Sequence, residues 1–520
     1  MNLATIDIVI LCLYAAGLLA LALWVSREKK GHEKNTRDYF LAGNALPWWA
    51  IGASLIAANI SAEQIIGMSG SGYVIGLAIA SYEWMAAITL ILVGKYFLPI
   101  FLKHNIYTMP QFLEQRYDHR VRILLAVFWL GVYVFVNLTS ILWLGALAIN
   151  SVTGLPLTPG LILLGGFAAA YSLYGGLKAV ALTDIVQVIL LVLGGLLIAY
   201  ITLDLVSDGA GVIAGFNILL ERAPEKFDMI LSPDNPHYIS LPGISVLIGG
   251  MWIMNLSYWG FNQYIIQRAL AAKSVREAQK GIVFAAFLKL LMPVLVVLPG
   301  LAAVILAPGL ERPDQAYPSM MNLLPAGIKG LVFAALLAAI VSSLASMMNS
   351  ISTIFTMDVY KHLRERSSQH HLVVIGRITS MTALIIAIIV ARPLLGKFDQ
   401  AFQYIQEFTG FFTPGVVAIF VMGMFWKKAT PNSAIASAIA SAGLSLAFKL
   451  YWPELPFMDR VGVVFLCCVA VATIITLLEH KGPQAGAIEL KQIDFSTSSG
   501  FNIAGLAVAI ILIALYTAWW

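Results

Sequence analysis

The chain has 520 residues, of which 60% are hydrophobic and only 11% charged, with a mean hydropathy of +0.85. Soluble domains carry roughly 25% charged residues, so a soluble enzyme or nucleic-acid-binding protein is excluded. The net charge of +5 reads as membrane topology rather than as a surface for polyanions.

In chain order the sequence predicts fourteen apolar spans, at about 6–26, 48–73, 79–102, 121–150, 157–174, 179–203, 241–263, 277–307, 326–359, 372–392, 399–425, 432–451, 458–478 and 500–519. Each approaches or exceeds the ~20 apolar residues a membrane-crossing helix needs. The first run has no basic residue before it, Arg27 coming after, and no small-residue cleavage site, so it reads as a retained helix. Cys12, Cys467 and Cys468 lie within apolar runs, with neither a disulfide framework nor metal spacing. The expected fold is an all-α integral membrane domain covering residues 1–520, with one longer loop at about 204–240 carrying a short surface helix. No soluble domain is attached within these limits.

Charge orients these spans. With the N-terminus outside, only Arg222, Lys226, Arg312, Lys329, Arg392, Lys397, Lys449 and Arg460 of the 32 basic residues fall in outside gaps. Lys95 and Lys289 fall within spans, and all the others, Arg116, Arg122 and Arg268 among them, fall in inside gaps. Inside loops are enriched in Lys and Arg, so both termini are predicted outside.

Polar groups in hydrocarbon are costly and mark pathways. The second span, AIGASLIAANISAEQIIGMSGSGY, holds Asn59, Ser61, Glu63 and Gln64 with Gly67, Gly70 and Gly72. Small residues that let helices approach would explain the glycines but not the Asn, Glu and Gln. A helix broken near its middle, with unwound carbonyls free for a cation, explains all of them. The seventh span repeats the pattern, with Gly249 and Gly250 followed by Asn255, Ser257, Tyr258, Trp259 and Asn262. Paired interrupted spans in corresponding halves point to a binding site, and they suit a five-plus-five inverted repeat over spans 2–6 and 7–11.

Elsewhere the residues leave two readings open. Glu83 is either a pathway carboxylate or an acid near a wet helix end. Lys289 lies too deep to snorkel and needs a buried partner or polar ligand, whereas Lys95 is near enough to the inner end to reach water. Asp184, after Gly175 and Gly176, is either a helix-start acid or a lure for a departing cation. Ser342 and Ser343 serve either helix packing or cation coordination. In the eleventh span Phe402 and Tyr404 alternate with Gln403 and Gln406, a mixture that suits sugars: amides take hydroxyls while an aromatic face covers the ring.

These segments, GASLIAANISAEQ, IGMSGSGY, LAIASYEWM, YSLYGGLKAV, TDIVQV, YWGFNQYIIQR, AFLK, AAIVSSLASMMNS and YIQEFTG, resemble the sodium/solute symporters in family order, over about Ile6 to Trp520. The resemblance is strongest to their bacterial sodium/glucose–galactose branch. It implies a leucine-transporter-like fold, with core repeats at about 48–203 and 241–425 and peripheral helices 6–26, 432–451, 458–478 and 500–519. It also implies a multi-pass protein of the bacterial inner membrane that co-transports one Na+ with each sugar, and not an enzyme. The sodium site would comprise the carbonyls of Ala57, Ile60 and Ala339 with the hydroxyls of Ser342 and Ser343, and Asp184 would lie on the ion's exit. Sugar would meet Gln64, Glu83, Asn255, Lys289 and Gln406, with Asn59 close by. Tyr258, backed by Trp259, would stack on the sugar and close the inner side; Met68, Tyr82 and Phe402 would close the outer side.

The chain departs from that pattern at Ala86, where the resemblance leads one to expect a sugar-contacting serine, and at a shorter segment around 309–318. A lost hydroxyl removes a hydrogen bond worth about 0.5–1.5 kcal/mol. Beyond sugar, sodium and the bilayer, no protein partner is evident. The competing readings are a symporter for myo-inositol, sialic acid or an amino acid, and a proton-coupled carrier. A sensor would append a soluble signalling domain, and paired aromatic gates argue against a channel.

Overall fold

A computed structural model describes residues 3–25, 35–395 and 401–520, without the side chains of 22, 37, 171–176, 178, 179, 401 and 404. The expectations for Tyr404, for Gly175 and Gly176, for Lys178, and for the basic residues Arg27, Lys29, Lys30, Lys34, Arg37 and Lys397 therefore lie outside the described residues or side chains.

Among the described residues the architecture is helical, and the one extended pairing is an isolated bridge between Leu46 and Ala272. Ten helices are long and apolar enough to cross a membrane, and the bent pair Trp48–Asn59 and Glu63–Val74 makes an eleventh. Burial sorts them. In Ile328–Leu363, 89% of the apolar window is buried, against 6% in Thr5–Val25 and 17% in Ser499–Ala518. The first of these is the core of the bundle; the others turn most of their surface outward, as lipid-facing helices do.

The predicted spans at 157–174 and 179–203 are joined in one helical run, Leu157–Val206, whose stretches Leu157–Ala170 and Val180–Val206 are each apolar. The expected surface helix in the long loop is Val212–Arg222. That loop returns to the end of the bent pair, where Lys226 Nζ donates to the Val74 carbonyl at 2.6 Å. Partial burial there pushes the Lys226 ammonium pKa down, with nearby Glu225 opposing.

Three of the basic residues expected in inside gaps are buried. Arg116 donates to the carbonyls of Gly423, Trp426 and Ala429. Arg122 is held by Asp358, Glu114 and the Met357 carbonyl. Arg268 donates to Ser54, Ser346 and the Tyr264 carbonyl. Each guanidinium satisfies carbonyls or carboxylates where helix ends converge, which a loop-counting rule does not anticipate.

Candidate functional site

The bent pair turns by 61° between Asn59 and Glu63. Ile60 leaves helical geometry at φ −75°, ψ 85°, and the Ser61 N–H folds back onto the Asn59 carbonyl at 2.8 Å. The break thus lies at the polar residues, upstream of the glycines. Those glycines make close packing possible. A Cβ at Gly67 would stand 2.9 Å from Cβ of Phe402, one at Gly70 2.8 Å from the Pro313 backbone, and one at Gly72 3.1 Å from Val297.

The break releases carbonyls toward the central helix Ile328–Ile354. Ser343 Oγ donates to the Ala58 carbonyl at 2.9 Å, with the Ala57 carbonyl at 3.4 Å. Its neighbour Ser342 donates to Asp184, as does Ser54. Arg268 Nε reaches Ser54 at 3.1 Å, so a fully buried carboxylate and guanidinium share a bridging hydroxyl. Of the residues expected at an ion site, Ala57 and Ser343 are brought into contact, while Ser342 turns to Asp184. Ile60 and Ala339 are fully buried.

On the other side of the break is a cavity of about 100 Å3. Asn59, Gln64, Glu83, Asn255, Tyr258, Lys289 and Gln406 all line it, as do Met68, Tyr82, Trp259, Phe402 and Ala86. The sequence-predicted contact and gating residues are therefore brought together around one space. Its lining includes a buried charge cluster. Lys289 Nζ bonds both the Glu83 carboxylate and Asn59 Oδ1, and stands 5.0 Å over the Trp259 ring. Asn59 Nδ2 in turn donates to the Tyr258 hydroxyl at 2.9 Å. Gln64 accepts from Ser61 at 3.0 Å, and Asn255 donates back to the Met251 carbonyl at 3.1 Å.

Aromatic pairs stand at two edges of the cavity. Tyr82 meets Phe402 edge-on at 5.3 Å, and Tyr258 meets Trp259 at 5.2 Å. The seventh predicted span leaves helical geometry at Gly249 (φ −125°, ψ −120°) and again at Asn262, which is extended at φ −82°, ψ 118°. The second break comes one short stretch, Gly260 and Phe261, after Tyr258 and Trp259. Tyr258 also hydrogen-bonds Tyr264, so this aromatic wall is anchored to the helix beyond the break.

Sequence reasoning missed several residues of these clusters. Glu63 lines the cavity and takes a hydrogen bond from Ser140; its position in the polar run was visible, but nothing in the spacing separated it from Gln64. Ser54, Ser346 and Arg268 carried no local signal, because a lone basic residue near a span end reads as interfacial.

The profile of the sodium:solute symporter family matches residues 39–441. The chain is 52% identical over 540 aligned positions to a sodium/glucose cotransporter of Vibrio parahaemolyticus, covering 100% of this chain and 99% of that one. It is 34% identical over 473 positions to sodium/myo-inositol cotransporter 2 of Mus musculus, covering 85% and 69%. Among solved structures, a Na+-coupled sialic acid symporter in a substrate-bound outward-open state aligns with a TM-score of 0.80 at 24% identity, covering 91% of this chain and 98% of that one. A nucleobase-cation-symport-1 family transporter aligns at 0.55 and 11%, covering 91% and 99%. These two likenesses concern the fold.

Proposed function

This chain belongs to the sodium:solute symporter family, and from that premise we propose that it carries a monosaccharide, galactose or glucose, into the cell by sodium-driven alternating access. The observation that carries the reading is the cavity at the broken second span. There a buried Lys289–Glu83–Asn59 cluster faces amides and aromatic rings. Paired carboxylate, ammonium and amide groups suit a polyhydroxyl ligand better than a carboxylate one, since Lys289 is already neutralised by Glu83.

The whole chain is one transport domain of fourteen spans. The five-plus-five repeat occupies about 48–203 and 241–425, and the remaining helices are peripheral. On this reading the protein lies in the inner membrane of a bacterium with both termini outside, the orientation that the charge bias favours. Sodium takes Ala57, Ile60, Ala339, Ser342 and Ser343, and sugar takes Gln64, Glu83, Asn255, Lys289 and Gln406. The two sites share the break, for Asn59 stands on the sugar side of it and the Ala57 and Ala58 carbonyls on the ion side. Sodium ordering the break places Asn59 and Gln64 for sugar, so each ligand lowers the ordering cost met by the other. Tyr258 with Trp259 then opens inward while Met68, Tyr82 and Phe402 stay packed outside, and the ion leaves past Asp184.

The driving force suffices. One charge crossing 100 mV is worth about 2.3 kcal/mol, and a tenfold sodium gradient adds about 1.4 kcal/mol. Together they support several-hundred-fold accumulation of a neutral sugar. Likeness to the mouse myo-inositol carrier keeps a cyclic polyol as second reading, and a proton-coupled carrier is the third. Uptake of labelled galactose, glucose and myo-inositol into proteoliposomes, under sodium, potassium or proton gradients, tests all three. Galactose or glucose accumulation under sodium alone is expected; uptake that followed the proton gradient and ignored sodium would overturn the coupling.

A further inference from the structure

Away from both clusters, the helices Met109–Arg116 and His119–Val132 meet the end of the run Ile328–Leu363. His119 Nδ1 lies 3.2 Å from Oε1 of Glu114, and His362 Nε2 lies 4.0 Å from the same oxygen. The two imidazoles are 4.8 Å apart between centroids. One ligand atom from each of the three residues lies within 4.8 Å of the others. The transport reading uses none of them.

The corner has the makings of a metal site rather than of a chance surface contact. The other oxygen of Glu114 is held by Arg122, whose guanidinium is fixed by Asp358 at 2.8 Å and the Met357 carbonyl at 2.8 Å. Asp358 is further bound by Thr108 at 2.9 Å. A buried outer layer therefore aims one Glu114 oxygen at the two imidazoles, as such layers do around metal ligands. Two carboxylates against one guanidinium leave one net negative charge, which the neutral imidazoles of a metal site would not cancel. Two imidazole nitrogens with one carboxylate oxygen is a donor set that zinc-class ions favour, with a fourth position left for water. The side chains of His119, Glu114 and His362 are 54%, 29% and 33% exposed, so an ion and its water can enter. Ligand bonds of about 2.0–2.2 Å need donor atoms roughly 3.4 Å apart in a tetrahedron. His119 Nδ1 and Glu114 Oε1, 3.2 Å apart, already stand near that spacing, whereas His362 Nε2, at 4.0 Å, would have to move closer as an ion bound.

We propose that Glu114, His119 and His362 bind a divalent transition-metal ion of the zinc class. The ion joins the connection at 109–119 to the end of the helix that carries Ser342 and Ser343. The proposal does not depend on which solute is transported.

The test uses the full-length protein in nanodiscs, purified on a tag without histidine. Cobalt titration followed by visible absorption, with zinc competition, reads the site directly. The expected result is one ion per chain above background, with the intense bands of four-coordinate cobalt, displaced by zinc. Zinc should also raise the melting temperature. His119→Ala and His362→Ala should each weaken binding at least about tenfold, as loss of metal-site groups commonly does. Metal-free sodium-driven uptake should persist in both variants, which also shows that they fold. Equal cobalt binding by wild type and the double variant, or no binding by wild type, would overturn the assignment. The imidazoles would then be a hydrogen-bonded surface pair only.

Discussion

Lys289 and Glu83 form an ion pair whose side chains are 1% and 3% exposed, on the lining of the cavity. Such a pair could serve the fold or the solute, and the two roles separate when the partners are removed singly and together. Glu83→Gln leaves a buried ammonium with amide oxygens and the Trp259 ring about it but no counter-charge, and Lys289→Met leaves a buried carboxylate. Breaking one side of a buried pair costs about 3–5 kcal/mol, whereas replacing both sides with neutral groups is often close to neutral. Both single variants should therefore melt well below wild type, and Glu83→Gln/Lys289→Met should recover most of the loss. Transport should not follow. A charged group's hydrogen bond to a sugar hydroxyl is worth about 1.5–3 kcal/mol, roughly a ten- to 150-fold change in affinity. The double variant loses at least one such bond from each partner, so its KM for sugar should rise by more than about a hundredfold while its melting temperature approaches wild type. The assays are thermal unfolding of the purified protein and sodium-driven sugar uptake into proteoliposomes. A double variant with near-normal KM would show that the pair is structural, and the sugar-site reading would fall.

Three further substitutions probe the rest of the arrangement. Ser343→Ala removes a hydroxyl from beside the Ala57 and Ala58 carbonyls and should raise the half-saturating sodium concentration at least about tenfold, the value of a hydrogen-bonding group at a charge; unchanged sodium dependence would refute the ion site. Ala86→Ser restores a hydroxyl to the cavity wall, worth about 0.5–1.5 kcal/mol, so the sugar KM should fall between about twofold and tenfold, and no change would mean that the ligand does not reach this wall. Gly67→Ala places a Cβ 2.9 Å from Phe402 and should strain the outer packing by about 1–3 kcal/mol, read as slower uptake with little change in sodium affinity; a wild-type rate would mean that Phe402 does not close the outer side.

The helical architecture was legible because apolar runs of membrane-crossing length have few other solutions in lipid. The cavity residues were legible for the same reason inverted: Asn59, Glu83 and Lys289 are conspicuous where polarity is costly. What the chain did not disclose is how each polar group is satisfied. Arg116, Arg122 and Arg268 look like interfacial charges by position, yet each is buried against groups contributed by segments far along the chain: the Gly423 carbonyl for Arg116, the Asp358 carboxylate for Arg122, and the Ser54 and Ser346 hydroxyls for Arg268. Such partners are set by helix packing, and hydropathy carries no record of them. The same limit governs the glycines of the second span. The composition of Gly67, Gly70 and Gly72 suggested a break, but the backbone parts from the helix at Ile60, before all three, and Gly67 and Gly70 instead admit Phe402 and Pro313. Polarity fixes where the helix yields, because Asn59 and Ser61 offer side-chain and backbone alternatives to the helical ladder. Smallness fixes what can close over the yielded segment. On the proposed mechanism, ion release and outer closure would therefore draw on different residues of one motif, and a substitution at Gly67 should alter the second while leaving the first intact.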